Sequence, residues 1–461
     1  MNLEPNIVYM LGIGGIGMSA IARYFNHKGA TVYGYDKTAT VLTDKLIAEG
    51  IHIHFDEDIT QIPEHIDLLI YTPAIPTTNK EFEYFQESEL VLHKRSEILG
   101  AISKKGFTIA VAGSHGKTTI TSMISHLLHH SGYGCTAFIG GICVNYDTNF
   151  LTNGSDTYII EADEYDRSFH RLYPDIAIVT ATDDDHLEIY GDHAHVVEAY
   201  EIFVSQIKEK GTLIYKKHIG ISEGAMPSLA FSYHLDDKEA VFNVASLKTD
   251  NGCYSFQLTM ENFTQGGTTE TLSLSLNIGG LHNVENSIPA IVVAKLLGID
   301  NKKIQEALAS FKGIKRRFEY ILQTKNKTFI DDYAHHPKEL EALLSSTRKL
   351  FVNKKVLIIF QPHLYSRTQH LAKQFAEALQ QADEAMLMEI YPAREKPIDG
   401  VSSNLIIEYL NNADKNVYNK NNVLKAVTQK YFDVIITAGA GNISDIVIPL
   451  KKQILNELPK G

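Results

Sequence analysis

A short stretch from Val111 to Ile120, with the sequence VAGSHGKTTI, holds the residues most able to do chemistry. The apolar run before it predicts a buried strand, its two glycines predict a tight turn, and Lys117 and Thr118 predict the start of a helix. Backbone N–H groups and the positive end of a helix dipole bind phosphate at such a turn. We therefore predict a phosphate-binding loop in which Lys117 faces the β- and γ-phosphates and Thr118 binds Mg²⁺. The alternative is a plain glycine turn with an exposed lysine.

Acidic residues follow a second apolar run, which covers residues 157–160. Glu161 comes directly after that predicted strand, and a carboxylate in this position beside a phosphate loop commonly holds Mg²⁺. A solvated acidic loop is the alternative. His186 follows another predicted strand and stands beside Asp183–Asp185. It is interpreted either as a second metal ligand or site residue, or as a structural histidine.

A glycine-rich turn near the N-terminus follows the first predicted strand. Gly12–Gly17 matches G-x-G-x-x-G, and Asp36 lies at the tip of the next predicted strand. This pattern is typical of a loop that binds the diphosphate of a nucleotide, with the acid on a ribose hydroxyl. The spacing alone leaves three readings open: NAD(P), another nucleotide diphosphate, or a structural turn.

Further polar groups lie at predicted helix starts and strand ends. Asn283 and Asn286 can face one ligand from one side of a helix, and their amides can pair with adenine, although capping of that helix is the alternative. The pair Arg316–Arg317 could place positive charge on a γ-phosphate or could be a linker charge pair. Two more clusters, Asp331–Pro337 and Gln361–Thr368, follow predicted strands.

The elements that must position these groups alternate between strand and helix over most of the chain, which predicts an α/β fold with parallel sheets. We predict three domains at residues 1–103, 104–317 and 318–461. The first and third are expected to be Rossmann-like. The middle one is expected to be a P-loop-type ATPase whose parallel sheet carries additional antiparallel strands, since residues 240–245, 253–258 and 271–276 alternate apolar with polar residues.

Bulk composition excludes several classes of protein. The chain of 461 residues carries a net charge of −12, which argues against a general nucleic-acid binder. Three scattered cysteines predict a reducing compartment. No basic leader and no apolar run long enough to span a membrane are evident, so we expect a cytoplasmic protein without membrane insertion. A monomer or a weak homodimer is expected.

Taken in order, these motifs closely resemble those of the Mur ligase family of bacterial peptidoglycan synthesis. The resemblance covers essentially the whole chain, to about Asn442. It is carried by the following segments: Gly12–Ser19, Ala112–Thr119, Glu161–Asp166, Asp185–Leu187, His282–Asn286, Lys315–Glu319, Asp331–Pro337, Gln361–Thr368 and Tyr391–Ala393. It implies that the first glycine loop holds the diphosphate of a UDP-sugar rather than NAD.

The implied activity is ATP-dependent amide synthesis with ATP and Mg²⁺, and the motifs are most like the branch that joins L-alanine to UDP-N-acetylmuramate. The expected catalytic residues are Lys117, His186 and Arg317. The implied ATP site is Gly113, Ser114, His115, Gly116, Lys117, Thr118, Thr119, His282, Asn283, Asn286, Arg317 and Asp332. The implied metal ligands are Thr118, Glu161 and His186. The implied UDP-sugar site is Gly14, Gly15, Ile16, Gly17, Asp36 and Thr72. The implied amino-acid site is His336, His363, Tyr365 and Arg367.

Three rival functions share part of this pattern. A recycling ligase that joins UDP-N-acetylmuramate to a preformed tripeptide would have the same fold and most motifs. An NAD-dependent oxidoreductase would leave the phosphate loop and Glu161 unexplained. A regulator without catalysis would not need the complete set of reactive residues. Two departures from the family pattern are Leu364 and Tyr165, and Lys208 stands in the wrong place for the carbamylated lysine that some members use.

Overall fold

The computed structural model describes residues 2–183, 187–250, 252–261, 263, 269–393 and 395–457. Within these ranges the chain forms an α/β fold built on three sheets. No helix of the described residues is long and apolar enough to cross a membrane.

The first sheet has five strands in the order β3-β2-β1-β4-β5, and every neighbouring pair is parallel. Its strands are β1 Ile7–Leu11, β2 Thr31–Tyr35, β3 His52–His54, β4 Leu68–Tyr71 and β5 Leu92–Lys94. Its helices are α1 Ile16–His27, α2 Val41–Ala48, α3 Lys80–Gln86 and α4 Arg95–Lys105. The predicted alternation of strand and helix is confirmed here. Helix α4 runs across the predicted boundary at residue 103.

The second sheet has ten strands in the order β15-β14-β13-β12-β11-β10-β6-β9-β7-β8. Its strands are β6 Phe107–Ala112, β7 Thr136–Cys143, β8 Thr148–Thr152, β9 Thr157–Glu161, β10 Ile176–Val179, β11 Thr212–Lys216, β12 Ala230–His234, β13 Phe242–Asp250, β14 Cys253–Met260 and β15 Glu270–Leu276. Its helices are α5 Lys117–His130, α6 Leu187–Tyr190, α7 His193–Ser205, α8 Leu281–Leu296 and α9 Asn301–Ser310. Pairing is parallel from β13 to β7 and antiparallel between β7 and β8, so this sheet is mixed.

The order of the second sheet explains why its motifs meet. Strands β10, β6 and β9 are neighbours and parallel, so the residues after their carboxyl ends share one edge. These residues are the predicted phosphate loop, the acidic run from Glu161, and Thr180. Ligands of open α/β sheets bind at such an edge. The alternating pattern predicted farther along the sheet is confirmed in β14, where every second residue is buried.

The third sheet has six strands in the order β16-β17-β21-β18-β19-β20, with β16 antiparallel to β17 and the other pairs parallel. Its strands are β16 Glu319–Gln323, β17 Thr328–Asp332, β18 Val356–Phe360, β19 Glu384–Met388, β20 Ala413–Tyr418 and β21 Val434–Ala438. Its helices are α10 Pro337–Leu350, α11 Tyr365–Leu379, α12 Asn404–Ile407, α13 Lys420–Thr428 and α14 Val447–Glu457.

Contacts along the chain define two compact units. One comprises Met1–Ala245, Gln257–Ser273 and Glu285–Leu308, and the other Ser246–Phe256, Leu274–Val284 and Ala309–Gly461. The first unit contains a cluster of buried apolar side chains that runs from β1 and α1 to β6, β9 and α7. Because this core is continuous, the first sheet and the phosphate-loop sheet are packed together within that unit.

Candidate active site

The predicted phosphate loop is formed as a strand, a glycine turn and a helix. Strand β6 is buried up to Ala112, and α5 begins at Lys117. Gly113 and Gly116 have φ of +129° and +82°. A Cβ atom at Gly113 would lie 2.0 Å from the Thr180 hydroxyl oxygen. Only glycine fits there, so the turn keeps the tight backbone path of a phosphate-binding loop.

Neighbouring strands brace this loop from the side. The Thr180 hydroxyl donates to the His115 carbonyl oxygen at 2.5 Å, and the Ser114 N–H donates to the Ala181 carbonyl oxygen at 3.1 Å. His115 itself is exposed and lies 3.3 Å from the Asp183 carboxylate, whereas Thr119 is buried. The turn is therefore held in shape by hydrogen bonds to the end of β10.

Lys117 is bound to the loop and to an acidic residue. Its Nζ donates to the Gly113 carbonyl oxygen at 2.8 Å and to Glu164 Oε1 at 2.6 Å. The side chain of Lys117 is 15% exposed and that of Glu164 only 4%. The sequence placed Glu164 in an acidic run without a role. The structure makes it the ion-pair partner that fixes the lysine charge beside the phosphate loop.

Thr118 and Glu161 are brought together as the sequence predicts. The Thr118 hydroxyl donates to Glu161 Oε1 at 2.8 Å, and the Gly140 N–H donates to Glu161 Oε2 at 2.9 Å. A hydroxyl and a carboxylate side by side supply the hard oxygen ligands that suit Mg²⁺, so these residues fit the metal that the sequence implies. The third predicted ligand, His186, lies outside the described residues.

Gly140, on β7, is a contributor that sequence reasoning missed. A Cβ atom there would lie 2.3 Å from Glu161 Oε2. We expect Gly140→Ala to displace the carboxylate and raise the Mg²⁺ concentration for half-maximal activity by about 10- to 100-fold, as loss of a group that orients a metal ligand does. A Mg²⁺ titration of phosphate release checks this. Gly224→Ala is the control, because its added methyl group meets nothing within 4 Å. An unchanged Mg²⁺ requirement in Gly140→Ala would contradict the expectation.

The three residues predicted to contact adenine, His282, Asn283 and Asn286, lie in the first two turns of α8. Asn283 is buried, and its Nδ2 donates to the Gly279 carbonyl oxygen at 2.6 Å. Asn286 Oδ1 would be 2.6 Å from a Cβ atom at Gly116, so its amide packs directly on the phosphate loop. The ring of His282 lies against Gly280. Adenine contact stays a prediction for these residues.

The N-terminal glycine loop also has the geometry of an anion site. Gly12 has φ of +81° and a Cβ atom there would lie 2.4 Å from the Thr72 methyl group. The Gly14 N–H donates to Asp36 Oδ2 at 2.8 Å, so this carboxylate braces the loop. Gly15 and Ile16 are exposed at the start of α1, whose cap has no side-chain hydrogen bond. The first turn of α1 can therefore accept an anionic ligand.

The two arginines before β16 differ in their contacts. Arg316 has φ of +59°, its Nε lies 3.4 Å from Asp331 Oδ2, and its guanidinium stacks 4.9 Å from the Tyr333 ring centre. Arg317 is exposed. Arg316 thus anchors this segment, while Arg317, the predicted γ-phosphate ligand, is the one presented to solvent.

Asp331 and Asp332 are the last two residues of β17, whereas the sequence predicts that they directly follow that strand. Burial raises the pKa of both carboxyl groups, to about 6 for Asp332. Asp332 accepts hydrogen bonds from the N–H groups of Phe318 and Ala334, each at 2.7 Å. The structure therefore gives Asp332 a role in shaping the segment around Arg317, and its predicted ribose contact stays a prediction.

A cluster of histidines with one arginine and one tyrosine lies at the carboxyl ends of β17 and β18. His363 stacks on Tyr391, its ring centre is 5.8 Å from that of His335, and Arg367 Nη1 donates to the His335 carbonyl oxygen at 3.4 Å. Burial and the nearby charges of His335 and Arg367 lower the pKa of His363. His363 and Arg367 thus lie in one neighbourhood, where the Arg367 guanidinium suits a carboxylate ligand.

Two other residues predicted for the amino-acid site occupy helix starts next to this cluster. His336 is the N-cap residue of α10, and burial lowers its pKa. Tyr365 is the first residue of α11, directly after Leu364, which has φ of +73°. All four predicted residues therefore follow the same two strands.

Comparison with known proteins agrees with this architecture. Family models match residues 7–106 (Mur ligase family, catalytic domain), 111–294 (Mur ligase middle domain) and 316–441 (Mur ligase, glutamate ligase domain). The fold and the phosphate loop define an ATP-dependent, amide-forming ligase of three α/β domains. The chain belongs to the Mur ligase family.

Individual relatives match over nearly their full length. The UDP-N-acetylmuramate–L-alanine ligase of Flavobacterium psychrophilum is 42% identical over 98% of this chain and 99% of its own. The UDP-N-acetylmuramate–L-alanine ligase of Porphyromonas gingivalis strain W83 is 42% identical over 97% of this chain and 98% of its own. The crystal structure of the UDP-N-acetylmuramate–alanine ligase of Thermotoga maritima has a TM-score of 0.80 and 27% identity, covering 98% of this chain and 99% of that one.

Proposed function

We propose that this chain joins L-alanine to the lactyl carboxylate of UDP-N-acetylmuramate, with ATP converted to ADP and phosphate. The observation that carries the chemistry is the cluster of Lys117, Thr118, Glu161 and Glu164 at one sheet edge. The choice of substrates rests on relatives of that specificity that match 98% of the chain at 42% identity. A cytoplasmic location and a monomer or weak homodimer stay predictions.

Phosphorylation makes the amide bond possible. A carboxylate oxygen of the sugar nucleotide attacks the γ-phosphorus, ADP leaves, and an acyl phosphate forms. The amine of L-alanine then attacks the acyl carbon, and phosphate leaves with the former carboxylate oxygen. The N–H groups of Gly113–Thr119 cradle the ATP phosphates, and Lys117 and Arg317 stabilise charge on the transferring group.

Thr118 and Glu161, with His186, would hold Mg²⁺, which neutralises phosphate charge when bound. The remaining ATP contacts are assigned to His282, Asn283, Asn286 and Asp332. The UDP-sugar is assigned to the loop with Gly14, Gly15, Ile16 and Gly17, together with Asp36 and Thr72. We keep the domain bounds 1–103, 104–317 and 318–461 for sugar-nucleotide, ATP and amino-acid binding.

The amino-acid pocket is assigned to His336, His363, Tyr365 and Arg367. Arg367 clamps the alanine carboxylate, because a guanidinium matches a carboxylate in a bidentate pair. The ammonium group of alanine must lose a proton before it attacks. His363 is suited to accept that proton, because its lowered pKa keeps the ring neutral near pH 7.

The test is phosphate release from ATP with Mg²⁺ and UDP-N-acetylmuramate, with L-alanine, glycine, L-serine or the tripeptide L-Ala-γ-D-Glu-meso-diaminopimelate added in turn. We expect release that requires both the sugar nucleotide and L-alanine. Release only with the tripeptide would assign the chain to the recycling reaction instead. No release with any acceptor would contradict the proposal.

A further inference from the structure

An arginine that the reaction scheme does not use lies against the sugar-nucleotide loop. Arg95 is the first residue of α4, and its side chain is 23% exposed. A Cβ atom at Gly17 would lie 2.6 Å from Arg95 Nη1 and 3.2 Å from its Cζ. The guanidinium therefore packs on the glycine at the start of α1, beside the N–H groups assigned to the diphosphate.

The other side of the same guanidinium contacts the acidic run of the ATP site. Arg95 Nη2 donates to Asp163 Oδ2 at 3.0 Å, while Asp163 Oδ1 accepts the Tyr165 N–H at 3.1 Å. Asp163 stands between the metal ligand Glu161 and Glu164, the partner of Lys117. Arg95 thus joins the N-terminal glycine loop to the acidic run after β9 through one side chain.

Helix α4 holds Arg95 firmly in this place. A Cβ atom at Gly100 would lie 2.6 Å from the Arg171 carbonyl oxygen, so α4 packs closely on the turn of 3-10 helix that follows the acidic run. An ion pair between Arg171 and Glu97 at 3.3 Å adds to this contact. The guanidinium position is therefore set by the fold, which reduces the entropy lost when it binds a ligand.

Positive charge at this placement is offset by Asp163, which pairs with Arg95, and by Glu97 in the first turn of α4. Arg95 occupies the first position of α4 and also lies on the first turn of α1, and both helix starts carry partial positive charge. Asp163, 39% exposed, is the carboxylate paired with it there. A guanidinium held against uncapped helix N–H groups is the arrangement that binds phosphate or carboxylate oxygens.

We propose that Arg95 binds an anionic oxygen of the sugar nucleotide, and that Asp163 orients its guanidinium for this contact. The inference rests on the proposed function, because it takes the sugar nucleotide as the ligand of the Gly12–Gly17 loop. That oxygen belongs either to the diphosphate or to the lactyl carboxylate, which carry the same kind of ligand atom.

The experiment measures dissociation constants of the full chain by titration calorimetry for UDP-N-acetylmuramate and for UDP-N-acetylglucosamine, which lacks the lactyl carboxylate. We expect Arg95→Met to weaken UDP-N-acetylmuramate binding at least tenfold, with Arg95→Lys weakened less. Equal weakening for both ligands assigns Arg95 to the diphosphate, and weakening for UDP-N-acetylmuramate alone assigns it to the carboxylate. A non-hydrolysable ATP analogue, titrated alone, should bind Arg95→Met within twofold of wild type.

Lys105→Met is the matched control, because Lys105 is the last residue of α4 and its exposed side chain lies 3.9 Å from Glu4. It should bind both sugar nucleotides within twofold of wild type. Arg95 variants that bind both ligands as tightly as wild type, or no more weakly than Lys105→Met, would overturn the assignment. Wild type that binds neither sugar nucleotide would instead overturn the proposed function, and this inference with it. If Arg95→Met melts early, Arg95→Lys gives the deciding comparison.

Discussion

Lys117→Met is expected to lower kcat for phosphate release by about 10²- to 10³-fold or more, because the lysine charge acts on the transferring phosphoryl group. Steady-state kinetics at saturating substrates measures the loss. Lys208→Met is the control. Lys208 donates to the Asp175 carboxylate and to the Gly106 carbonyl oxygen. These two residues directly precede β10 and β6, so Lys208 lies at the sheet edge opposite the phosphate loop. The control should keep wild-type kcat.

Loss of Lys117 also affects stability, and a second variant separates the two effects. The substitution removes the ion pair that Lys117 makes with the buried carboxylate of Glu164, and breaking a buried pair costs about 3–5 kcal/mol. We therefore expect a lowered melting temperature in Lys117→Met. The double variant Lys117→Met, Glu164→Gln should recover most of the lost melting temperature but none of the lost activity. Recovered activity in the double variant would show that Lys117 serves the fold rather than the reaction.

Glu161→Gln should have the second-largest effect. The substitution keeps the shape of the side chain but removes its charge. The glutamine amide oxygen can still accept from the Gly140 N–H, and its NH₂ group can donate to the Thr118 hydroxyl oxygen, while the metal loses an anionic ligand. We expect the Mg²⁺ concentration for half-maximal activity to rise about 10- to 100-fold, as it does when metal ligation is weakened.

The control for this variant is Glu201→Gln, a carboxylate that accepts hydrogen bonds from Ser222 away from the phosphate loop. Mg²⁺ titrations of both variants provide the comparison. A Glu161→Gln enzyme that saturates at the wild-type Mg²⁺ concentration would exclude Glu161 as a metal ligand.

Local patterns allowed much of this architecture to be predicted. The apolar run before Gly113 and the helix start at Lys117 depend on neighbours in the chain, and the structure has both. The pairing of Thr118 with Glu161 was also predictable, because consecutive motifs follow strands of one parallel sheet. The choice between NAD and a sugar nucleotide at Gly12–Gly17 needed the resemblance of the whole chain, since both ligands present a diphosphate to such a turn.

The sequence did not allow contacts between distant segments to be predicted. Nothing in the acidic run tells that Glu164, rather than Asp163, faces Lys117, because the choice depends on how the chain turns after β9. Gly140 gave a weak signal, since glycine inside a strand often marks a close approach of another group. Arg316 and Arg317 point to different surroundings because the backbone at Arg316 is left-handed. Non-glycine residues rarely adopt this conformation, so the sequence around Arg316 does not predict it.

The most direct test of the central claim follows one oxygen atom. UDP-N-acetylmuramate labelled with ¹⁸O in both lactyl carboxylate oxygens is turned over with ATP, Mg²⁺ and L-alanine, and the released phosphate is analysed by mass spectrometry. Transfer through an acyl phosphate predicts one ¹⁸O atom in each phosphate released and one retained in the amide product. Unlabelled phosphate, formed while the amide product accumulates, would contradict carboxylate phosphorylation and with it the role assigned to Lys117.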